Sequence, residues 1–143
     1  MNKLLGYLFT FSTLTLLSCS GNSNNTSTQQ SSSTTDSGAG EKLYVANCAV
    51  CHQIGGIGVP SAFPPLANNP TVVGNKAELI KIMHEGLTGE IEVNKMKYNG
   101  VMTSFTNLSD TETAQLLTYL RTNMGNKADA ITEQEVKNER VKN

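Results

Sequence analysis

The stretch Cys48-Ala49-Val50-Cys51-His52 constrains this chain more than any other. Continued as a helical turn, it sets Cys48 and Cys51 at i and i+3, so that two thiols on one face can reach two neighbouring substituents of one flat molecule. His52 then projects its imidazole beneath the centre of that molecule. Attaching haem through thioether bonds to its two vinyl groups, while delivering an axial nitrogen to the iron, requires this stereochemistry, and C-x-x-C-H is the sequence form it takes. Chance would produce such a pattern in a chain this long on the order of once in a thousand. Two other uses of paired cysteines compete. A thiol redox pair wants a strand before the motif in a βαβ setting, whereas Glu41-Lys42-Leu43-Tyr44-Val45-Ala46-Asn47 reads as helix running into the cysteines. A structural zinc site needs four ligands as a rule, and beyond Cys48, Cys51 and His52 the chain offers only His84 and Cys19. The motif is therefore read as the attachment point of one covalent haem c.

Composition divides the 143 residues sharply. From 20 to 38 there is no aromatic side chain and no aliphatic one larger than a methyl, so this stretch has nothing to bury and is expected to stay disordered. The part expected to fold, from about Gly40 to Gly125, is small enough for its own apolar side chains to give a marginal core. A covalently held haem supplies the missing apolar centre. The formal net charge is −1, and from Glu41 to Phe105 five lysines face five glutamates. Such balance argues against nucleic acid and against strong electrostatic steering, and leaves weak, partly apolar docking as the expected mode of contact with partners.

Met1-Asn2-Lys3 gives a short positive start, followed by an apolar run from Leu4 to Leu17 that is too short for a membrane-spanning helix and fits the core of a secretion signal over residues 1–18. The run ends Leu16-Leu17-Ser18-Cys19, which resembles the lipobox of bacterial lipoproteins. That resemblance implies cleavage before Cys19, diacylglycerol on its thiol and, as a rule, acylation of the new amino terminus. An ordinary signal peptide with an incidental cysteine, or an uncleaved anchor, are the alternatives. With two of three thiols used by haem, a leftover Cys19 in an oxidising compartment would be a liability, and lipidation removes it. More than one acyl chain gives stable attachment. Residues 19–38 then form a disordered Ser/Thr/Asn-rich tether spanning about 25 Å as a random coil. The expected location is the bacterial cell envelope, with the haem domain lipid-anchored to a membrane in the periplasm or otherwise outside the cytoplasm.

Along the rest of the chain, a first helix is expected from about Gly40 to Val50, with Gly40 and Tyr44 on one face. Gln53 to Pro70, with its glycines and prolines, reads as a loop. A second helix is expected from an Asn75 cap, with Glu78 returning the bond, to Gly86. Leu79, Ile80, Ile82 and Met83 form its apolar side. His84 on that helix reads as a partly exposed polar residue rather than a second axial ligand or a redox-linked proton site. Glu90–Val93 and Met96–Tyr98 alternate around Asn94-Lys95 as a small hairpin. A third helix starts at a Ser109/Glu112 capping box and stops near Gly125. Thr132 and Glu135 cap a short charged helix within 126–143 that ends in a frayed tail.

Residues 39–125 resemble a class I monohaem c-type cytochrome. The resemblance rests on Cys48-x-x-Cys51-His52; on Gly40-x-x-x-Tyr44 with Leu116 and Tyr119; on Pro64-Pro65-Leu66; and on Tyr98-Asn99-Gly100-Val101-Met102-Thr103-Ser104-Phe105. It implies an all-α fold, three main helices around a covalent haem, with the small hairpin in the loop before the axial methionine. The resemblance makes His52 one axial ligand, with the Pro64 carbonyl accepting its Nδ1 proton. Met102 is the other, with Thr103 where proline is common. Met83 and Met124 read as helix packing and Met96 as a hairpin face. His/Met ligation raises the potential and suits one-electron exchange with a dehydrogenase, reductase or oxidase. No acid, base or nucleophile is poised for catalysis. Should Met102 be absent from the iron or labile, a small-ligand sensor or peroxidase is the alternative; with no haem, the cysteines become a thiol redox pair.

Overall fold

Helix α1 covers Ser37–Asn47 and α2 covers Ala49–His52, with only Cys48 between them (φ −114°, ψ −35°). The structure, a computed structural model, describes residues 37–142. The signal peptide, Cys19 and most of the tether lie outside the described residues. Helical bonding carries across the junction, since the Cys48 N–H donates to Tyr44 O at 2.8 Å and the His52 N–H to Cys48 O at 2.8 Å. The helix that leads into the motif thus continues through it. It begins at Ser37, ahead of the expected start and inside the stretch read as tether.

Docking on helix α5 (Asp110–Thr122) fixes α1. Gly40 sits where a Cβ would come 2.5 Å from the Gln115 carbonyl oxygen and 2.6 Å from Tyr119 Cβ, so the two backbones touch because Gly40 has no side chain. One turn on, Tyr44 is 1% exposed and its ring centroid lies 5.8 Å from that of Tyr119, tilted by 43°. Ser109 and Glu112 make the full capping box at the start of α5, and Leu116, Leu117 and Leu120 are buried along it.

A one-turn helix α3, Pro70–Val73, begins where the expected loop ends. Its start is local chemistry: the Asn69 side chain accepts from Thr71 N and Val72 N, and Pro70 occupies the first turn, where its missing N–H costs nothing. Helix α4, Lys76–Glu85, is capped by the Asn75 side chain accepting from Ala77 N and Glu78 N, although Glu78 does not return the bond. Leu79, Ile80 and Met83 are buried on α4 and Ile82 is half-buried. Strands β1 (Ile91–Val93) and β2 (Met96–Tyr98) pair antiparallel, Ile91 opposite Tyr98 and Val93 opposite Met96. Asn94 and Lys95 adopt φ 51° and 67°, the two positive values that a two-residue type I′ turn demands, with lysine accepting what glycine would do more cheaply. The all-α plan with one small hairpin is as expected.

The segment after α5 is tied to the core. The Arg121 guanidinium, 4% exposed, donates to the carbonyls of Asp129 (2.7 Å), Val72 (2.7 Å) and Gly74 (3.0 Å), so a buried cation is answered by backbone dipoles. The Thr118 hydroxyl exchanges 3.0 Å bonds with both backbone groups of Ile131. Helix α6, Glu133–Lys142, is capped reciprocally by Thr132 and Glu135 and packs on α4 and α5, burying Ile131 and Val136. Ion pairs at its edges join Lys76 to Glu135 (2.9 Å) and Arg140 to Asp110 (2.7 Å). Its charged sequence hid an anchoring stripe too sparse for periodicity to expose.

Replacing Gly40 by alanine is expected to destabilise the holoprotein by about 1–3 kcal/mol, because the added methyl meets backbone rather than a flexible side chain. Guanidinium unfolding measures the loss. An unchanged midpoint would mean that α1 and α5 do not cross where the structure places them.

Candidate functional site

Cys48, Cys51 and His52 are delivered by the α1–α2 junction, the two cysteines one turn apart and not joined in a disulfide. Cys48 is buried, and burial together with the neighbouring Cys51 pushes its thiol up to about 11. A reactive redox cysteine shows the opposite, a lowered pKa beside a cation or helix amino terminus. Among the described residues no group of three or more His, Cys, Asp or Glu side chains is gathered into a metal cage. What the motif offers is two sulfurs for covalent attachment and one ring nitrogen.

The state of that nitrogen follows from geometry. His52 is 8% exposed and its Nδ1 lies 2.8 Å from the Pro64 carbonyl oxygen, which can only accept. Nδ1 therefore carries the proton, and Nε2 keeps its lone pair, with no hydrogen-bond partner among the described residues. Burial lowers the pKa of the ring, and the Pro64 bond opposes that effect. A neutral imidazole held at one nitrogen and available at the other is the form that binds iron.

The loop between His52 and α3 is folded to bring Pro64 to this place. A short 3-10 turn, Ile54–Gly56, follows the motif; the Gly56 carbonyl accepts from Leu66 N (2.8 Å) and Ala67 N (2.9 Å), and the Gly58 N–H donates to His52 O (2.9 Å). Gly58 has φ +69°, and a Cβ there would meet the Phe63 carbonyl oxygen at 2.5 Å. The three carbonyls from 64 to 66 each have a separate donor. His52 holds Pro64, the Asn69 side chain holds Pro65 at 2.6 Å, and the Asn126 side chain holds Leu66 at 2.8 Å. Asn126, 3% exposed, also accepts from Asn69 N and donates to Leu120 O. Asn69 and Asn126 had not been expected at the site. The Asn69-Pro70 pair was a legible helix start, but nothing in the sequence near Asn126 marked it.

Met102 comes from the loop before α5 and is half-buried against the core cluster that includes Cys48. It exchanges two backbone bonds with Leu87, Met102 N to Leu87 O at 2.8 Å and Leu87 N to Met102 O at 3.0 Å, and the Phe105 N–H donates to Met83 O at 2.8 Å. Those bonds hold the loop to the end of α4, which explains how it does without a proline at 103. Of the other methionines, Met83 is buried in the core, Met124 packs against it, and Met96 accepts from the Tyr98 hydroxyl at 3.2 Å on the hairpin. The residues present thus fit a flat, covalently held group: two sulfurs and a fixed nitrogen on one element, and a thioether on a tethered loop.

Comparison with known proteins gives the same direction. The family model described as Cytochrome c matches residues 37–124. The chain is 48% identical over 90 residues to cytochrome c-552 of Thermus thermophilus, covering 60% of this chain and 68% of that protein. It is equally similar to a second cytochrome c-552 of the same species, of which it spans 60%. The cytochrome c subunit of a quinone alcohol dehydrogenase from Gluconacetobacter polyoxogenes is 37% identical over 100 residues, 68% of this chain and 21% of that subunit.

His84 corrects an expectation. It is not a partly exposed helix residue but 8% exposed, with neither ring nitrogen hydrogen-bonded; the Thr113 hydroxyl is likewise buried without a partner. The apolar side of α4 is wider than the alternation of residues implied, because α6 covers it. Burial lowers the His84 pKa, Arg140 from α6 lowers it further, and Asp110 from α5 and Glu85 on α4 partly offset both. The folded ring therefore resists a proton that the unfolded chain accepts. As pH falls below the ordinary histidine value of about 6.5 towards the lowered folded value, the unfolded state binds more protons and stability drops. Unfolding midpoints measured through that window should decline in the wild type and flatten in His84→Leu; equal slopes would show that another group titrates.

Proposed function

Because the chain belongs to the cytochrome c family, and so is a haem electron carrier with haem c bound covalently, we propose that Cys48 and Cys51 form the thioethers and that His52 and Met102 are the axial ligands. On this reading the domain is a membrane-tethered carrier of single electrons. The observation that carries it is the 2.8 Å bond from His52 Nδ1 to the Pro64 carbonyl, which leaves the Nε2 lone pair for a metal, on the residue directly after Cys51.

When bound, haem supplies an iron centre that changes oxidation state by one electron. The polypeptide orients and tunes. Pro64 fixes the ring of His52 and draws on its Nδ1 proton, which makes Nε2 a stronger donor. Met102 contributes an uncharged, soft thioether that favours the ferrous state and raises the potential. Both donors sit on backbone locked by hydrogen bonds, so neither has far to move when the charge changes. No residue is needed as acid, base or nucleophile, and the proposed role is that of a carrier rather than an enzyme.

Likeness to the cytochrome c subunit of a quinone alcohol dehydrogenase supports a dehydrogenase as redox partner, with a reductase or oxidase as the natural class on the other side. Val50 beside Cys51 and Val101 beside Met102 are 79% and 78% exposed, which supports weak, partly apolar docking near the site. The sequence Leu16-Leu17-Ser18-Cys19 after an apolar run supports a lipid anchor on Cys19 and a place in the cell envelope outside the cytoplasm.

In Met102→Ala, stained haem should remain on the polypeptide in a denaturing gel while the far-red sulfur-to-iron band of the oxidised protein disappears. The reduction potential should fall by on the order of 0.1 V or more, within the span of about 0.8 V that axial ligands command. Retention of the band would remove Met102 from the iron. For the anchor, Cys19→Ser is expected to move most of the haem-staining protein from the membrane fraction to the soluble one, and unaltered fractionation would refute lipidation there.

A further inference from the structure

Gln53, the residue directly after His52, has φ 64° and ψ 159°. That combination pairs a left-handed φ with an extended ψ and is adopted freely by glycine alone, so a glutamine there is held against its own preference. Its carbonyl takes two donors, Gly56 N at 3.0 Å and the Tyr44 hydroxyl at 2.5 Å. Its N–H donates to Ala49 O at 2.9 Å. Tyr44 reaches Gln53 from nine residues upstream, and its ring is already committed to the α1–α5 contact through Tyr119. A phenylalanine would fill that contact equally well. The hydroxyl therefore serves something other than packing, and its hydrogen-bond partner is the strained residue beside His52.

We propose that Tyr44 is a positioning residue for the axial histidine: its buried hydroxyl clamps the Gln53 carbonyl and keeps the peptide after His52 in a conformation that aims the imidazole at both Pro64 and the iron. The proposal rests on the reading of His52 as an iron ligand. Without the hydroxyl, Gln53 has a nearby exit to an ordinary φ. Taking that exit rotates the peptide that links His52 to the 3-10 turn, and with it the frame in which Nδ1 meets the Pro64 carbonyl. Burial pushes the phenol up to about 12, so it remains a donor at any pH where the protein works. Glycine at position 53 separates the two roles of the bond. It has no preference to overcome, so the loss of the Tyr44 donor leaves it no strain to relieve by abandoning that backbone shape.

The test uses holoprotein of the wild type, Tyr44→Phe, Gln53→Gly and the double variant, with the iron-shifted NMR resonances of the His52 ring and the redox midpoint as readouts. Tyr44→Phe should displace the ring resonances and change the redox equilibrium constant several-fold; Gln53→Gly should leave both near wild type; the double variant should return both to wild-type values. Unmoved resonances in Tyr44→Phe, or a double variant that stays displaced, overturn the proposal. If Tyr44→Phe does not accumulate with haem, the double variant decides alone: recovery of a wild-type spectrum supports the clamp and failure to recover overturns it. A wild type with no iron-shifted histidine ring would instead defeat the ligand reading, whatever the variants do.

Discussion

One hydrogen bond, from His52 Nδ1 to the Pro64 carbonyl, sets the terms for the structure around it. It decides which nitrogen of the imidazole keeps the proton, and so which one is free to bind. A carbonyl on a loop can perform that task only if it cannot rotate away. Rotation is prevented because the next two carbonyls are also held, Pro65 by Asn69 and Leu66 by Asn126. Asn126 in turn donates to the Leu120 carbonyl near the end of α5. The direction of one ring is thus referred, through three successive peptide groups, to the helix that anchors the whole domain.

The same helix receives α1, which carries the cysteines. Where α1 crosses α5 at Gly40, contact is backbone to backbone, and no rotamer change can relieve or loosen it. Both supports of His52, the element it sits on and the loop that holds its Nδ1, are therefore fixed to α5 independently. The segment beyond α5 completes the arrangement from behind, with Arg121 bonded to the turn after α3 and α6 closing over α4. A small core that would be marginal by itself is thereby extended by one more packed helix, which contributes Ile131 and Val136.

Sequence made the main outline legible where a residue type had one physical use. Cysteine at i and i+3 before histidine, Ser109 with Glu112 three residues on, and Gly40 a turn ahead of Tyr44 each name a local geometry that the structure contains. Expectation failed where the use depends on chain brought from far away. His84 looked like a polar residue between two charges because the helices packed on α4, α5 and α6, come from about thirty and fifty residues later. Val136 and Ile131 sit in too charged a context to announce an apolar stripe. Asn126 and the Tyr44 hydroxyl serve the site through backbone carbonyls, which all residues possess, so no side-chain pattern could point to their partners. The hairpin turn is the intermediate case: its position was readable, but the willingness of Lys95 to take a positive φ was set by the strands on either side.

On the proposed ligation, this arrangement also bears on whether an electron moves with a proton. His52 and Met102 are uncharged donors, and thioether formation would remove both thiols, so none of these four side chains would place a titrating charge against the iron. The Nδ1 proton lies between the ring and the Pro64 carbonyl with no water-facing route implied by its 8% exposure. The Tyr44 phenol, raised to about 12, has no tendency to release its own proton near neutral pH. His84 is buried, titrates below its ordinary range and faces Asp110 and Arg140. The backbone dipoles fixed around His52 would then take up part of a one-unit change in the charge of the iron. Fixed dipoles need no reorganisation at the moment of transfer, so on this ligation rigidity around His52 would favour electron exchange.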